Sequence, residues 1–357
     1  MVAARILAFL GGFVLVVLPL RSAVRTFVLP RGVNDSLTRM VVQGVMRVFL
    51  LVASPKRTFA FRDRVMALFA PVALLCLPVV WVVVVTCGYV GMFWAAEAGD
   101  AAQSFTLSAS SLVTLGFATP RGVPQVTLAF SEATIGVLML ALLVAYLPTI
   151  YSAFSKRELA VTLLEVRAGS PPSAVEAITR FHVLGRLDQL VPLWQQWESW
   201  FAELEETHTS LAILGFFRSS QPDHSWVTAS GAVLDAASMM CSVVDAPREA
   251  QAQLTIRAGY LALRRVGALF GIDTSADPAW STSISITREE FDLALASLRE
   301  SGVPLLADLD QGWRDFVGWR VNYDAVLLEL AALTIAPYAP WSSDRARMPM
   351  PAPGDHA

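Results

Sequence analysis

Between two long apolar runs lies the stretch SASSLVTLGFATP, Ser108–Pro120. Its polar side chains are all hydroxyls: Ser108, Ser110, Ser111, Thr114 and Thr119. A single glycine, Gly116, frees the backbone near the centre, and Arg121 follows the proline directly. No histidine, cysteine or carboxylate stands inside the stretch, so no hydroxyl there has a local base. Elsewhere His182, His208 and His224 with Cys241 lack metal-ligand spacing and read as structural. No GxGxxG occurs in the second half, and no phosphate loop or nucleophile–base pair appears. The expectation is a protein that is not an enzyme and carries no cofactor.

The elements that must position this stretch are apolar. The chain has 357 residues, 55% hydrophobic and only 16% charged, with a mean hydropathy of +0.53. Globular chains are usually about 25% charged. The apolar excess lies before residue 156, which divides the chain into a membrane part and one helical domain. The net charge of −3 excludes a general affinity for nucleic acid. Cys76, Cys87 and Cys241 form neither a disulfide framework nor a metal motif.

From Val65 to Ala96 there is no charged residue, and a second uncharged run covers Ala133–Ser155. About 20 apolar residues cross a bilayer core, so each run predicts a span. Pro71 and Pro78 predict a tilt or kink in the first, and the second helix is expected to begin near Val126. Lys56, Arg57, Arg62 and Arg64 precede the first span, and Lys156 and Arg157 follow the second. Basic residues collect in cytoplasmic loops, so both ends of the pair are placed inside and the connection outside. The inner (plasma) membrane is the expected location, with the C-terminal domain cytoplasmic.

A shorter apolar run, Ile6–Leu20, opens the chain. Arg21, Arg25 and Arg31 after it favour an uncleaved segment with its C-terminus inside over a cleaved signal peptide. Val41–Ala53, with Arg47 in it, reads as an interfacial helix. Residues 1–64 therefore form an N-terminal apolar segment plus interfacial helix.

In this setting Ser108–Pro120 takes on an order: span, short helix Gln103–Val113 ending in Ser and Thr, Thr-x-Gly-aromatic-x turn, second span. This order resembles the pore module of the potassium-channel superfamily, in its two-transmembrane-helix, re-entrant pore-loop form. The family signature reads Thr-Val-Gly-Tyr-Gly; here TLGFA stands in its place. The resemblance covers roughly residues 65–155. It implies an all-α membrane pore module of outer helix, pore helix, filter loop and inner helix, with a helical cytosolic domain of bacterial type. It further implies that Thr114, Leu115, Gly116 and Phe117 supply carbonyls to a four-fold axis, where they replace the hydration shell of a monovalent cation such as K⁺. The selectivity filter is expected over Thr114–Thr119. Ser110 and Ser111 would lie on the pore helix and return hydrogen bonds to nearby backbone. A homotetramer follows, because one filter needs four loops.

The departures from the signature carry their own expectations. The family's filter needs positive φ at two glycine positions. Gly116 fills the first, and Ala118 occupies the second, where a Cβ costs about 1–2 kcal/mol. Phe117 lacks the hydroxyl that would tie filter to pore helix. Thr119 replaces the family's Asp, and Arg121 would place four positive charges near the outer mouth. These changes weaken the expectation of potassium selectivity, and they define an alternative, a non-conducting pore-like membrane sensor or scaffold with a degenerate filter.

On the second span Gly136 and Pro148 are the expected hinge or gate positions, since proline inside a helix removes a hydrogen bond. Glu132 reads as a carboxylate snorkelling to the interface rather than a polar prop behind the turn. Residues 156–336 read as helices: Lys156–Arg167, one capped by Ser170 with Pro171 at its first position, Arg186–Thr207, Trp226–Val244, Arg248–Phe270, one opened by the capping box Thr287–Glu290, and Trp313–Ala336. Trp194, Trp197 and Trp200 share a face that packs rather than binds. Residues 337–357 read as a disordered Pro-rich tail. The expected partners are membrane lipid, three further copies of the chain and an unidentified ligand of the cytosolic domain.

Overall fold

The computed structural model describes residues 1–27, 35–247, 250–273, 275, 278–279 and 282–345. It is helical, with a single isolated bridge between Val244 and Leu305 among the described residues. The helices in chain order are α1 Val2–Phe27, α2 Ser36–Val52, α3 Phe59–Ala67, α4 Phe69–Ala95, α5 Ala101–Leu112, α6 Gly122–Ala168, α7 Ala174–Val183, α8 Val191–Ser210, α9 Trp226–Ser242, α10 Ala250–Leu269, α11 Arg288–Glu300, α12 Leu309–Arg320 and α13 Asp324–Thr334. Among the described residues, three stretches are long and apolar enough to cross a membrane: Val2–Thr26, Phe59–Ala95 and Gly122–Ala168.

The chain divides into two compact units, Met1–Arg57 with Arg64–Ser152, and Thr58–Asp63 with Ala153–Ala357. Within the first, α1 pairs with α4 antiparallel. Arg5 bonds to Glu97, Gly12 meets Gly88 and Ser22 Oγ accepts from Trp81 Nε1 at 3.2 Å. A Cβ on Gly12 would stand 2.3 Å from the Gly88 carbonyl oxygen, and one on Gly88 2.6 Å from that of Gly12. Small residues let two membrane helices approach this closely, where packing rather than hydrophobicity drives association. At the other end of α1, Ser22 donates to Asp35 Oδ2 at 2.5 Å and Thr26 bonds to Thr38 at 3.0 Å, which fastens α2. Asp35 also caps α2 through Thr38 N at 2.9 Å. No residue of α2, which contains most of the expected interfacial helix Val41–Ala53, is buried.

The expected first span is two helices, α3 and α4, parted at Leu68. Pro71 falls in the first turn of α4, where a missing N–H goes unnoticed, so the helix restarts just ahead of it. The second span starts at Gly122, earlier than Val126, and runs unbroken to Ala168 through Pro148.

The second unit is built round α9, buried along nearly its whole length between α7, α10, α12 and α13. Trp194, Trp197, Trp200 and Phe201 on α8 are all buried, with the Trp197 and Trp200 rings 4.5 Å apart. The space beside Trp194 measures about 30 Å³, enough for a water and not for an organic ligand. Several boundaries differ from the sequence reading. Ser173, not Ser170, stands at the N-cap of α7. The expected helix Arg186–Thr207 begins as a 3₁₀ turn, Leu187–Gln189, before α8. The expected helix Trp313–Ala336 is two, α12 and α13, broken at residues 321–323. The start of the expected Arg248–Phe270 helix lies outside the described residues. The capping box at Thr287 and Glu290 is present as expected. The expected tail meets a folded stretch first: Ala339 is buried and Arg345 pairs with Glu290 at 2.9 Å. Residues 346–357 of that tail lie outside the described residues.

Candidate functional site: the Thr114–Thr119 turn and its supports

Helix α5 begins at Asp100, whose carboxylate accepts from Gln103 N at 2.8 Å, and it ends where Val113 and Thr114 leave helical geometry. Beyond it the chain folds back onto the helix end. Leu115 N and Gly116 N donate to the Ser110 carbonyl at 2.9 and 3.4 Å, and Ala118 N donates to Ser110 Oγ at 3.1 Å. One buried serine thus holds three amides of the turn. The carbonyls of Thr114, Leu115, Gly116 and Phe117 accept no hydrogen bond among the described residues. All four residues are exposed, so these oxygens are free to take water or a partner from outside the chain. Leu115 and Phe117 are each 63% exposed, which leaves the turn's outer side open to such a partner.

The expected roles within the turn are redistributed. Ser111 Oγ returns a bond to Leu107 O at 2.8 Å as expected, but Ser110 Oγ reaches forward instead and supplies the tie that Phe117 cannot make. Positive φ falls on Thr114 (55°) and Gly116 (72°), and Ala118 is not among the positive-φ residues. The strain expected at Ala118 is therefore absent from it. Thr114 pays instead, and its hydroxyl bonds locally to Val113 O at 2.8 Å. Thr119 is exposed, and the Arg121 side chain has neither ion pair nor hydrogen bond among the described residues.

Behind the turn lie residues that the sequence reading missed or misread. Glu132 is 0% exposed and accepts from Ser108 Oγ at 2.6 Å, so it props α5 rather than snorkelling. Its other oxygen, Oε2, and Ser104 Oγ are both buried without a partner. The reading failed because Ser108 sits 24 positions earlier, and only the fold brings the two together. Tyr89 on α4 bonds to Ser131 on α6 at 2.9 Å. Gln125 accepts from Arg121 N at 2.8 Å and donates to Ala96 O at 3.1 Å, which joins the turn's exit to the end of α4. Gly136, an expected hinge position, lets α6 touch α5: a Cβ there would stand 2.0 Å from Leu112 O. Pro148 lies inside α6 between buried Tyr146 and Ile150.

In the second unit Arg157, 4% exposed, donates to Leu214 O and Phe217 O, each at 2.7 Å, and reaches His208 Nε2 at 3.2 Å. Burial, together with the Arg157 charge, holds His208 well below the usual imidazole range, so it stays neutral. No group of three or more His, Cys, Asp or Glu capable of holding a metal occurs among the described residues. Compared with models of protein families, with curated proteins and with solved structures, the chain matches none.

Proposed function

We propose that the chain is one subunit of a tetrameric membrane pore in which the Thr114–Phe117 carbonyls strip and replace the water of a monovalent cation such as K⁺. The observation that carries this reading is the asymmetry of the turn: its amides point back into Ser110 while the carbonyls between them have no partner among the described residues. Four such turns about an axis would present a ring of oxygens at each level, as cation passage requires. The C-terminal end of α5, partly negative by its helix dipole, would add to that attraction. The exposed apolar residues of α6, among them Phe130, Val137, Leu140 and Val144, suit packing against neighbouring copies and lipid. Gating is assigned to the inner end of α6 near Pro148, with the helical domain as assembly or control element, and the location to the inner membrane with that domain in the cytoplasm.

A second reading keeps the tetramer and drops conduction. It draws on the unopposed Arg121 and on Ala118, where the positive φ moves to the other side of Gly116. Purified protein in liposomes, assayed for rubidium, potassium and sodium uptake, separates the two. The proposal expects flux in the wild type and background flux in Gly116→Asp, because that change adds about 1–2 kcal/mol of backbone strain at φ 72° and four carboxylates. Intact flux in Gly116→Asp removes the turn from the permeation path. Wild-type protein that is tetrameric and passes no ion favours the sensor or scaffold.

A further inference from the structure

We infer that α1 carries a site for one anionic phospholipid, with the phosphate held between Arg21 and Arg25 and an acyl chain laid along Val17 and Leu20. These residues and Val24 form one open, nearly flat patch along a single face of α1. Arg21 and Arg25 are four residues apart, so both guanidinium groups project from one face of the helix. Neither makes an ion pair or a hydrogen bond among the described residues. The one carboxylate near Arg25, that of Asp35, is committed to Ser22 Oγ and Thr38 N.

Depth along the span agrees with this chemistry. The stretch Val2–Thr26 is centred on Val14. Arg21 and Arg25 therefore lie about 10 and about 16 Å from its middle, bracketing the edge of a half-core about 15 Å thick. At that depth a phosphate meets the two charges while the acyl chain turns toward the helix's apolar side. A zwitterionic lipid brings its own ammonium to the same place, and a free phosphate has nothing to lay on Val17 (41% exposed). The ligand that suits both the charged and the apolar part of this face is an anionic lipid. The site depends on α1 lying in a membrane and not on conduction, so a chain that passes no ion would still show it.

The test titrates the full-length protein in detergent with phosphatidylglycerol or phosphatidylcholine and counts bound lipid by native mass spectrometry. A juxtamembrane arginine contributes about 1 kcal/mol toward an anionic surface, a factor of about 5, so R21Q/R25Q should cut the phosphatidylglycerol preference about 25-fold. Arg21 is exposed and Arg25 half-buried beside Asp35, so circular dichroism and a melt of R21Q/R25Q check that the fold is kept before binding is compared. R39Q/R47Q removes two other exposed and unpaired arginines, those of α2, and should leave most of the preference. Equal loss in both double variants would mean diffuse surface charge and overturn the site. So would equal binding of the two lipids by the wild type, or complete displacement of phosphatidylglycerol by millimolar inorganic phosphate.

Discussion

Changing Asp235 to alanine should destabilise the helical second unit by about 3–5 kcal/mol, the cost of taking one carboxylate out of a buried ion-pair network. Arg320 is 0% exposed. Its Nη1 donates to Asp235 Oδ2 at 2.6 Å, its Nε to Asp324 Oδ1 at 2.7 Å, and its Nη2 to the Trp341 carbonyl. Tyr323 adds a bond to Asp235 Oδ1 at 2.8 Å, Ser238 bonds to Tyr323 at 3.0 Å, and Ser285 donates to Asp324 through both its amide and its hydroxyl. One cation therefore joins α9, α12, the head of α13, the loop before α11 and the stretch after α13. Burial opposes the charge, and the two carboxylates outweigh it, so the guanidinium is held more firmly protonated than usual. Denaturant melts of full-length protein in detergent, followed at 222 nm, should show the second unit's transition moving to lower denaturant. Combining Asp235→Leu and Arg320→Met with Asp324→Asn should recover most of the loss, since no charge is then stranded and the asparagine oxygen can still accept from Ser285. Asp235→Ala with wild-type stability would mean that this network contributes nothing to the fold.

Gly136→Ala should destabilise the first unit by about 1–3 kcal/mol, in the range of overpacked cores. The sign is what makes the measurement informative. Alanine is better than glycine in a helix interior by about 1 kcal/mol, so propensity alone predicts stabilisation. The new Cβ, however, would sit 2.0 Å from Leu112 O and 3.1 Å from Leu112 C, and backbone cannot swing aside as a side-chain tip can. Either α6 moves off α5 or the end of α5 shifts, and Thr114–Thr119 shifts with it. Gly44→Ala on α2 supplies the contrast: nothing lies within 4 Å of its Cβ, so a gain of up to about 1 kcal/mol is expected there. Thermal unfolding of the two variants in the same detergent decides the matter. A stabilising Gly136→Ala would show that α5 and α6 do not touch at this point.

The sequence displays what depends on local pattern. Apolar runs long enough to span, the uncharged Ser-rich helix before Gly116, the Thr287–Glu290 box and the Trp194–Trp200 face are all set by spacing within a few turns of helix. The pairing of α1 with α4 is not, because Gly12 and Gly88 gain meaning only opposite each other, and either glycine alone reads as a weak point in a helix. The same holds for Arg320, whose partner Asp235 lies 85 positions away. A charged residue on an apparently amphipathic helix suggests solvent until the partner is seen. Glu132 shows the opposite error. A single carboxylate near the end of an apolar run suggests an escape to water, yet the fold gives it Ser108 and closes it off.

Ser110 explains why the letters of the turn can differ from a familiar signature without losing its shape. Leu115, Gly116 and Ala118 take their positions from one residue on the preceding helix, through backbone amides that every residue but proline possesses. The side chains at 115, 117 and 118 are therefore spectators of the backbone path, and exchanging them should leave these three bonds in place. Position 110 has no such liberty: its hydroxyl is the sole anchor for the third amide, and a threonine is the one other residue that brings an oxygen to the same atom.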